Sequence, residues 1–289
     1  MTAATQALAL KVVTTTPSLA WGIQEIVGDK AEVESLLTGH EDPHYVDAVP
    51  KFIFKASKAD IVCFIGRDLE VGWLPAVLKK SGNAKVQTGG SGYCDTGSGI
   101  TVLEKPEGEV DRSQGHVHPS GNPHFWVSPK TFFKGLEVAF NVLVSTDTEN
   151  AATYAKNFVK LRKSFENLEK ESQKALQKIK GKGPVMQYHS SFTYLIHDYG
   201  IESLGELEEK PGVKPSMGHL FLVAQKAKKA GVKVVLATER DPESILKKFT
   251  EISGIPYIRV PDSLKVSGKS IESYVTVHKK VVETIVNAY

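Results

Sequence analysis

The chain is short of the features that mark specialised protein classes. Two cysteines in 289 residues say little about redox compartment, and a disulfide between Cys63 and Cys94 stays open. Cys63 lies in the apolar run Ile61 to Ile65 and reads as a small core hydrophobe; Cys94 lies in a glycine-rich stretch. No apolar run approaches the roughly 18–20 residues that span a membrane as a helix. Charge of neither sign dominates: 36 basic residues against 33 acidic give +3, spread along the chain. No Lys/Arg cluster alternates with aromatics, which excludes nucleic acid as an expected partner. Repeats and low-complexity tracts are absent. The first ten residues lack a basic segment and a long enough apolar run for a whole signal peptide. Ala7-Leu8-Ala9 fits the remnant of a cleavage site, and a ragged cytosolic start reads the same way. Gly89-Gly90-Ser91-Gly92 lacks the Lys-Ser/Thr of a phosphate loop, and no G-x-S-x-G nucleophile elbow occurs.

What the chain does have is one long amphipathic stretch near its middle, Asp147 to Lys180. Tyr154, Phe158, Leu161, Phe165, Leu168, Ser172, Ala175 and Ile179 recur at steps of four and three, which places them on one helical stripe. Lys and Glu fill the other faces. Asp147 or Thr148 is placed to cap the start, and Gly181-Lys182-Gly183-Pro184 ends it. Such a helix would reach roughly 50 Å. With no second heptad stretch to pair with, it reads as a rigid connector between two lobes.

Strand and helix patterns alternate on both sides of that connector, which argues for parallel βαβ units. Before it come strands at Lys11–Thr15, Ala31–Leu37, Asp60–Gly66 and Val86–Thr88, with helices at 17–27, Pro50–Ala59, Trp73–Lys80 and Pro129–Val144. Gly89 to Gly99 and Pro106 to Gly121 read as loops. After the connector come strands at Pro184–Tyr188, Ile201–Leu207, Val232–Thr238 and Tyr257–Val260, with helices between them and a last helix from Ile271 to Ala288. The expected fold is therefore α/β, with two parallel-sheet lobes joined by one long helix. The divisions are 1–146, 147–180 and 181–289.

Three histidines stand just beyond strands: His44, His124 and His189. Asp262, after Tyr257–Val260 and Pro261, holds the same kind of position. Ligand sites in open α/β sheets form at the carboxyl ends of strands, so these four loops, two from each lobe, would converge on the cleft between the lobes. Neutral imidazoles and a carboxylate suit zinc, usually tetrahedral at roughly 2.0–2.2 Å. A shell filled by protein leaves no place for a reactive water, which favours holding the metal over using it. A lone loop histidine is more commonly a solvated surface group, and His197, His219 and His278 fall on helices as structural or solvated residues. His116 and His118, in the polar loop before His124, could collect metal loosely or be inert.

Together these residues resemble a known family. Asp42-Pro43-His44 with Asp47 and Pro50, Ala59-Asp60, and Asn122-Pro123-His124 with Trp126 and Pro129 are similar to the zinc/manganese solute-binding receptors of bacterial ABC importers. Glu149-Asn150-Ala151-Ala152 with Tyr154, Tyr188-His189 and Lys214-Pro215-Ser216 extend the resemblance over nearly the whole chain. It implies two lobes on a single helix with one metal in the cleft, and ligands at His44, His124, His189 and Asp262. It also implies a periplasmic or otherwise extracytoplasmic, membrane-associated monomer that delivers the ion to an importer permease and its cytoplasmic ATPase. Members with glutamate at the third position tend towards manganese, so His189 tips the expectation to Zn2+, with Mn2+ second. The chain departs from the pattern in its short histidine loop and in Val46, where an aromatic is usual. The competing readings are a zinc-dependent hydrolase and an adhesin-like surface protein that binds metal. His40-Glu41-Asp42-Pro43-His44 spells H-E-x-x-H, but that motif needs a helix, and Gly39 and Pro43 oppose one. Glu239, Asp241 and Glu243 fall at a helix start, where acids favour the dipole. No enzymatic activity is expected.

Overall fold

The computed structural model describes residues 9–107 and 117–289. Residues 12–14 and 61–65 are apolar or β-branched without a break, as expected of strands buried on both faces. They form the centre of a first parallel sheet. Its strands are β1 (Leu10–Thr14), β2 (Ala31–Ser35), β3 (Ile61–Phe64) and β4 (Tyr93–Asp95), in the order β2-β1-β3-β4. Its helices are α1 (Pro17–Val27), α2 (Pro50–Lys58), α3 (Leu74–Ser81) and α4 (Pro129–Thr146), each with proline in the first turn, where no amide partner is lost.

A second sheet repeats that order without repeating the sequence. It holds β5 (Val185–Gln187), β6 (Ser203–Glu206), β7 (Val234–Ala237) and β8 (Tyr257–Arg259) as β6-β5-β7-β8, all parallel. Helices α6 (Thr193–Tyr199), α7 (Met217–Ala230) and α8 (Glu243–Ser253) flank it. A hairpin of β9 (Val266–Ser267) and β10 (Ser270–Ile271) then leads into α9 (Tyr274–Asn287). In each sheet the chain reverses direction about its first strand, between β1 and β3 and between β5 and β7. Those switch points open crevices at the carboxyl ends of the strands.

The long helix, α5, spans Ala151–Leu176, 26 residues or roughly 39 Å. It starts four residues later than expected because Asp147 does not cap it directly. The Asp147 carboxylate instead accepts from the Asn150 amide and from the Tyr154 hydroxyl at 2.6 Å, bracing the turn that precedes the helix. The buried stripe follows the expected positions from Tyr154 to Ser172, then shifts from Ala175 to Leu176. A short 3₁₀ turn at Gln177–Ile179 completes it, with Ile179 buried.

The helix is not the sole link between lobes. One continuous apolar core contains Val12 and Ile61 from the first sheet, the α5 stripe, and Val185 and Val234 from the second. The last helix, α9, packs on both α5 and α1. Its Tyr274 stacks against Trp21 and Phe165, with ring centres 5.7 and 5.4 Å away. At the cleft, Val266 donates to the Thr38 carbonyl at 2.9 Å. Gly39, at φ 90°, lies where a Cβ would stand 1.9 Å from the Leu264 carbonyl oxygen. No side chain fits that approach.

Two expectations are corrected. The strand expected at Val86–Thr88 is a 3₁₀ turn at Ala84–Val86, and the fourth strand lies inside the expected loop, at Tyr93–Asp95. Cys94 is thus a strand residue paired in register with Cys63, and the two form a disulfide rather than leaving Cys63 a free core thiol. Among the described residues no helix is long and apolar enough to cross a membrane.

Candidate metal centre

Two short sequences build the same local structure. In Asp42-Pro43-His44 one oxygen of Asp42 accepts both the His44 backbone N–H, at 3.0 Å, and the ring Nδ1, at 2.7 Å. In Asn122-Pro123-His124 the Asn122 Oδ1 accepts the His124 backbone N–H at 2.8 Å and the ring Nδ1 at 2.9 Å. Aspartate and asparagine favour this bond to the backbone two residues on, and the intervening proline fixes φ. The imidazole is then held from both ends of its residue.

These bonds also determine the tautomers. A backbone N–H can only donate, so the Asn122 atom facing it is the oxygen, and the proton between it and the ring belongs to Nδ1. Asp42 is an acceptor throughout: burial pushes its pKa up, but the hydrogen bonds and charge of His44 together with the charge of Arg240 outweigh it and hold the pKa down at about 2. His189 reaches the same state through Glu208, whose Oε2 takes its Nδ1 at 2.7 Å and the Gly212 N–H at 2.9 Å. All three rings therefore present the Nε2 lone pair on the side away from their oxygen partner. The His189 Nε2 is buried and has no hydrogen-bond partner among the described residues.

The three lone pairs meet. Candidate ligand atoms of His44, His124 and His189 lie within 4.8 Å of one another. Ring centres are 5.2 Å apart for His44 and His124, 5.1 Å for His124 and His189, and 5.8 Å for His44 and His189. Nitrogens in a tetrahedral zinc shell would stand roughly 3.3 Å apart, which small ring movements supply. The rings line a cavity of about 200 Å³ between the sheets, with Tyr45, Trp126, Tyr188, Arg240 and Asp262 around them.

Electrostatics keep one of the three imidazoles, His124, neutral and able to donate to a cation. Burial holds the His124 pKa well below its ordinary value, and His189, His44, His118 and Arg240 push it further down. Burial also opposes charge on His189, but the hydrogen bond and charge of Glu208 prevail, and its pKa lies above the ordinary value.

Asp262 is placed differently from the other three expected residues. It lines the cavity, but its carboxylate is ion-paired with Arg240, and its backbone carbonyl accepts the Trp126 indole N–H at 2.6 Å. Burial raises its pKa, with Arg240 opposing. His118 lies close, its ring centre 5.2 Å from His44, and His116 falls outside the described residues. His197 is exposed and His278 is buried against α5, away from the cavity. Residues 38–47 form bends and turns, and Glu41 accepts from Thr38 N and Oγ1 at 2.8 and 3.0 Å, so H-E-x-x-H has no helix to act from.

Glu208 and Arg240 escaped the sequence reading. Both follow strand ends, β6 and β7, so the carboxyl-end argument that found the histidines reaches them too.

Residues 12–288 match the family described as zinc-uptake complex component A, periplasmic (ZnuA). The chain belongs to that family. Among relatives of ZnuA type, it is 25% identical over 276 residues to the zinc-binding lipoprotein AdcA of Streptococcus pneumoniae, covering 94% of this chain and 54% of AdcA. It thus spans about half the length of that relative. It is also 25% identical over 285 residues to the manganese ABC transporter substrate-binding lipoprotein PsaA of the same species, covering 96% of this chain and 87% of PsaA. The fold matches that of the Pseudomonas aeruginosa solute-binding protein FpvC, solved in complex with Ni2+. The TM-score is 0.80 at 21% identity, over 97% of each chain.

Proposed function

We propose that the chain is the extracytoplasmic receptor of an ABC-type importer for a divalent transition metal, zinc first and manganese second. His44, His124 and His189 hold the ion in the cleft and the loaded monomer presents it to a membrane permease driven by a cytoplasmic ATPase. One observation carries the reading: all three imidazoles are fixed through Nδ1, by Asp42, Asn122 and Glu208, so that three Nε2 lone pairs face one cavity. Oxygen partners behind metal-bound histidines are the usual means of orienting them and raising their basicity. Asp262, the fourth expected ligand, is engaged by Arg240 in the same cavity, so the three imidazoles alone are assigned here. The family supports transport over hydrolysis, and its named relatives span zinc and manganese. A nitrogen-rich site favours zinc over manganese along the usual divalent order.

We further propose that 1–146 and 181–289 act as two bodies on the segment 147–180, with small closure, because the shared core and α9 tie them together.

The test is elemental analysis of protein purified without added metal, then competition between zinc and manganese. One ion per chain is expected, with zinc winning at equal free concentration and His189→Glu narrowing its lead. His124→Ala and His189→Ala should each weaken binding strongly. Unchanged stoichiometry and affinity in both would overturn the site, and a wild-type preference for manganese would overturn the choice of metal.

A further inference from the structure

With Asp262 engaged by Arg240, three imidazoles leave a tetrahedral ion one ligand short. We propose that His118 supplies the fourth ligand, making the shell four imidazoles rather than three and a carboxylate. The inference rests on the metal-site reading above and refines it.

Position is the first argument. The His118 ring centre stands 5.2 Å from that of His44, the same separation as His44 from His124, and 6.3 Å from that of His124. Its Nε2 is buried. These are spacings of a residue on the edge of the cluster formed by His44, His124 and His189.

The turn carrying His118 is also anchored. The Gly121 N–H closes it on the His118 carbonyl at 2.9 Å. Asp68 accepts the Ser120 N–H at 2.8 Å, and Arg67 donates to the carbonyls of Ser120, Gly97 and Ile100. Arg67 and Asp68 are both held at positive φ, 53° and 63°, a backbone state that non-glycine residues adopt at a cost. Two successive unfavourable residues are thus maintained where they pin the histidine-bearing turn to the end of β3.

Charge supplies the third. Four neutral imidazoles bring no compensation for a dication, but Asp42 and Glu208 sit directly behind His44 and His189 and provide two negative charges through the rings. Asp262 is not needed for neutrality, and drawing it to the metal would break the ion pair of the part-buried Arg240 guanidinium.

X-ray absorption of the zinc-loaded full chain, paired with chelator competition, tests this. Wild type should show four imidazole nitrogens. His118→Ala should show three plus an oxygen from water, with zinc affinity lower by about tenfold or more, the scale on which even outer partners act. His118→Gln should behave likewise, and Asp262→Asn should keep four imidazoles. Three imidazoles and an oxygen in wild type, unaltered by His118→Ala and lost in Asp262→Asn, would overturn the assignment while leaving the metal site intact. Failure of wild type to bind zinc, or indifference to His124→Ala and His189→Ala, would instead bring down the site itself.

Discussion

His278 is a place where acid should be felt in the core. It lies on α9, 3% exposed, stacked on Tyr274 with ring centres 6.0 Å apart. Its Nε2 accepts from the Ser172 hydroxyl of α5 at 3.1 Å. A proton on that nitrogen would bury a charge. Burial accordingly lowers its pKa from 6.5 to about 3, against a weaker opposing hydrogen bond with the Val127 backbone. The folded value lies below the unfolded one, so the unfolded chain binds the proton first. The stability contribution is complete above pH 6.5 and is lost progressively as pH falls towards 3. At about 1.36 kcal/mol per pH unit, the full loss is roughly 5 kcal/mol, of which about 2 kcal/mol is gone by pH 5. Denaturant unfolding of the metal-free protein and His278→Gln, measured from pH 7.5 down to 5, isolates the effect, because the other groups titrate alike in both. Wild type should be the more stable at pH 7.5, and its lead should shrink by about 2 kcal/mol by pH 5. A lead constant across that range would refute the buried neutral histidine.

Three further outcomes are expected. Replacing Cys63 and Cys94 together by alanine opens a link across 31 residues, which by loop-closure entropy removes about 3–4 kcal/mol from the oxidised protein, read as a lower denaturation midpoint. Glu208→Gln keeps the shape behind His189 but not the charge, and zinc affinity should fall by about 10–100-fold in chelator competition, with no comparable loss of stability. Gly39→Ala drives a Cβ into the Leu264 carbonyl and breaks the close approach of the lobes, so the metal-free chain should be destabilised by about 1–3 kcal/mol and scatter as a more open particle. An unaltered midpoint and scattering curve would show that Gly39 does not hold the lobes together.

Where the signal was periodic, the sequence was enough. The α5 stripe repeats for seven turns, and its apolar positions turned inward as the spacing required. The histidines were legible because Asx-Pro-His is a local structure: everything that fixes the ring's backbone lies within three residues. What remained hidden depended on long-range pairing. The fourth strand, Tyr93–Asp95, is three residues long and sits among glycines that look like loop. Gly92 is there because a Cβ would stand 1.9 Å from the Asp60 carbonyl oxygen, a contact visible only once β3 is beside it. The disulfide stayed open for the same reason, since Cys63 and Cys94 become neighbours only through that pairing. Arg240 is a further case. Nothing near it in sequence marks it as the partner of Asp262, yet that contact decides which groups are available to a metal.

The hydrogen bonds behind the clustered histidines also couple the candidate site to the relation between the lobes. The Asn122 side chain has two jobs: its oxygen fixes His124, and its Nδ2 donates to the Ser190 carbonyl of the second lobe at 2.8 Å. Ser190 follows His189 directly, so His124 of one lobe and the neighbour of His189 in the other are joined through one amide. The same Nδ2 donates to Glu104 at 2.8 Å, and Glu104 accepts from Thr193 at the start of α6. An opening that carried Ser190 and Thr193 away from Asn122 would therefore free the amide to turn and loosen the orientation of His124, while His189 moved off with its own lobe and Glu208. Metal-nitrogen bonds depend steeply on distance and direction, so separation of about 1 Å would weaken two ligands at once. Retention in the closed protein and release on separation would then arise from the same few hydrogen bonds, with no need for wide hinge motion.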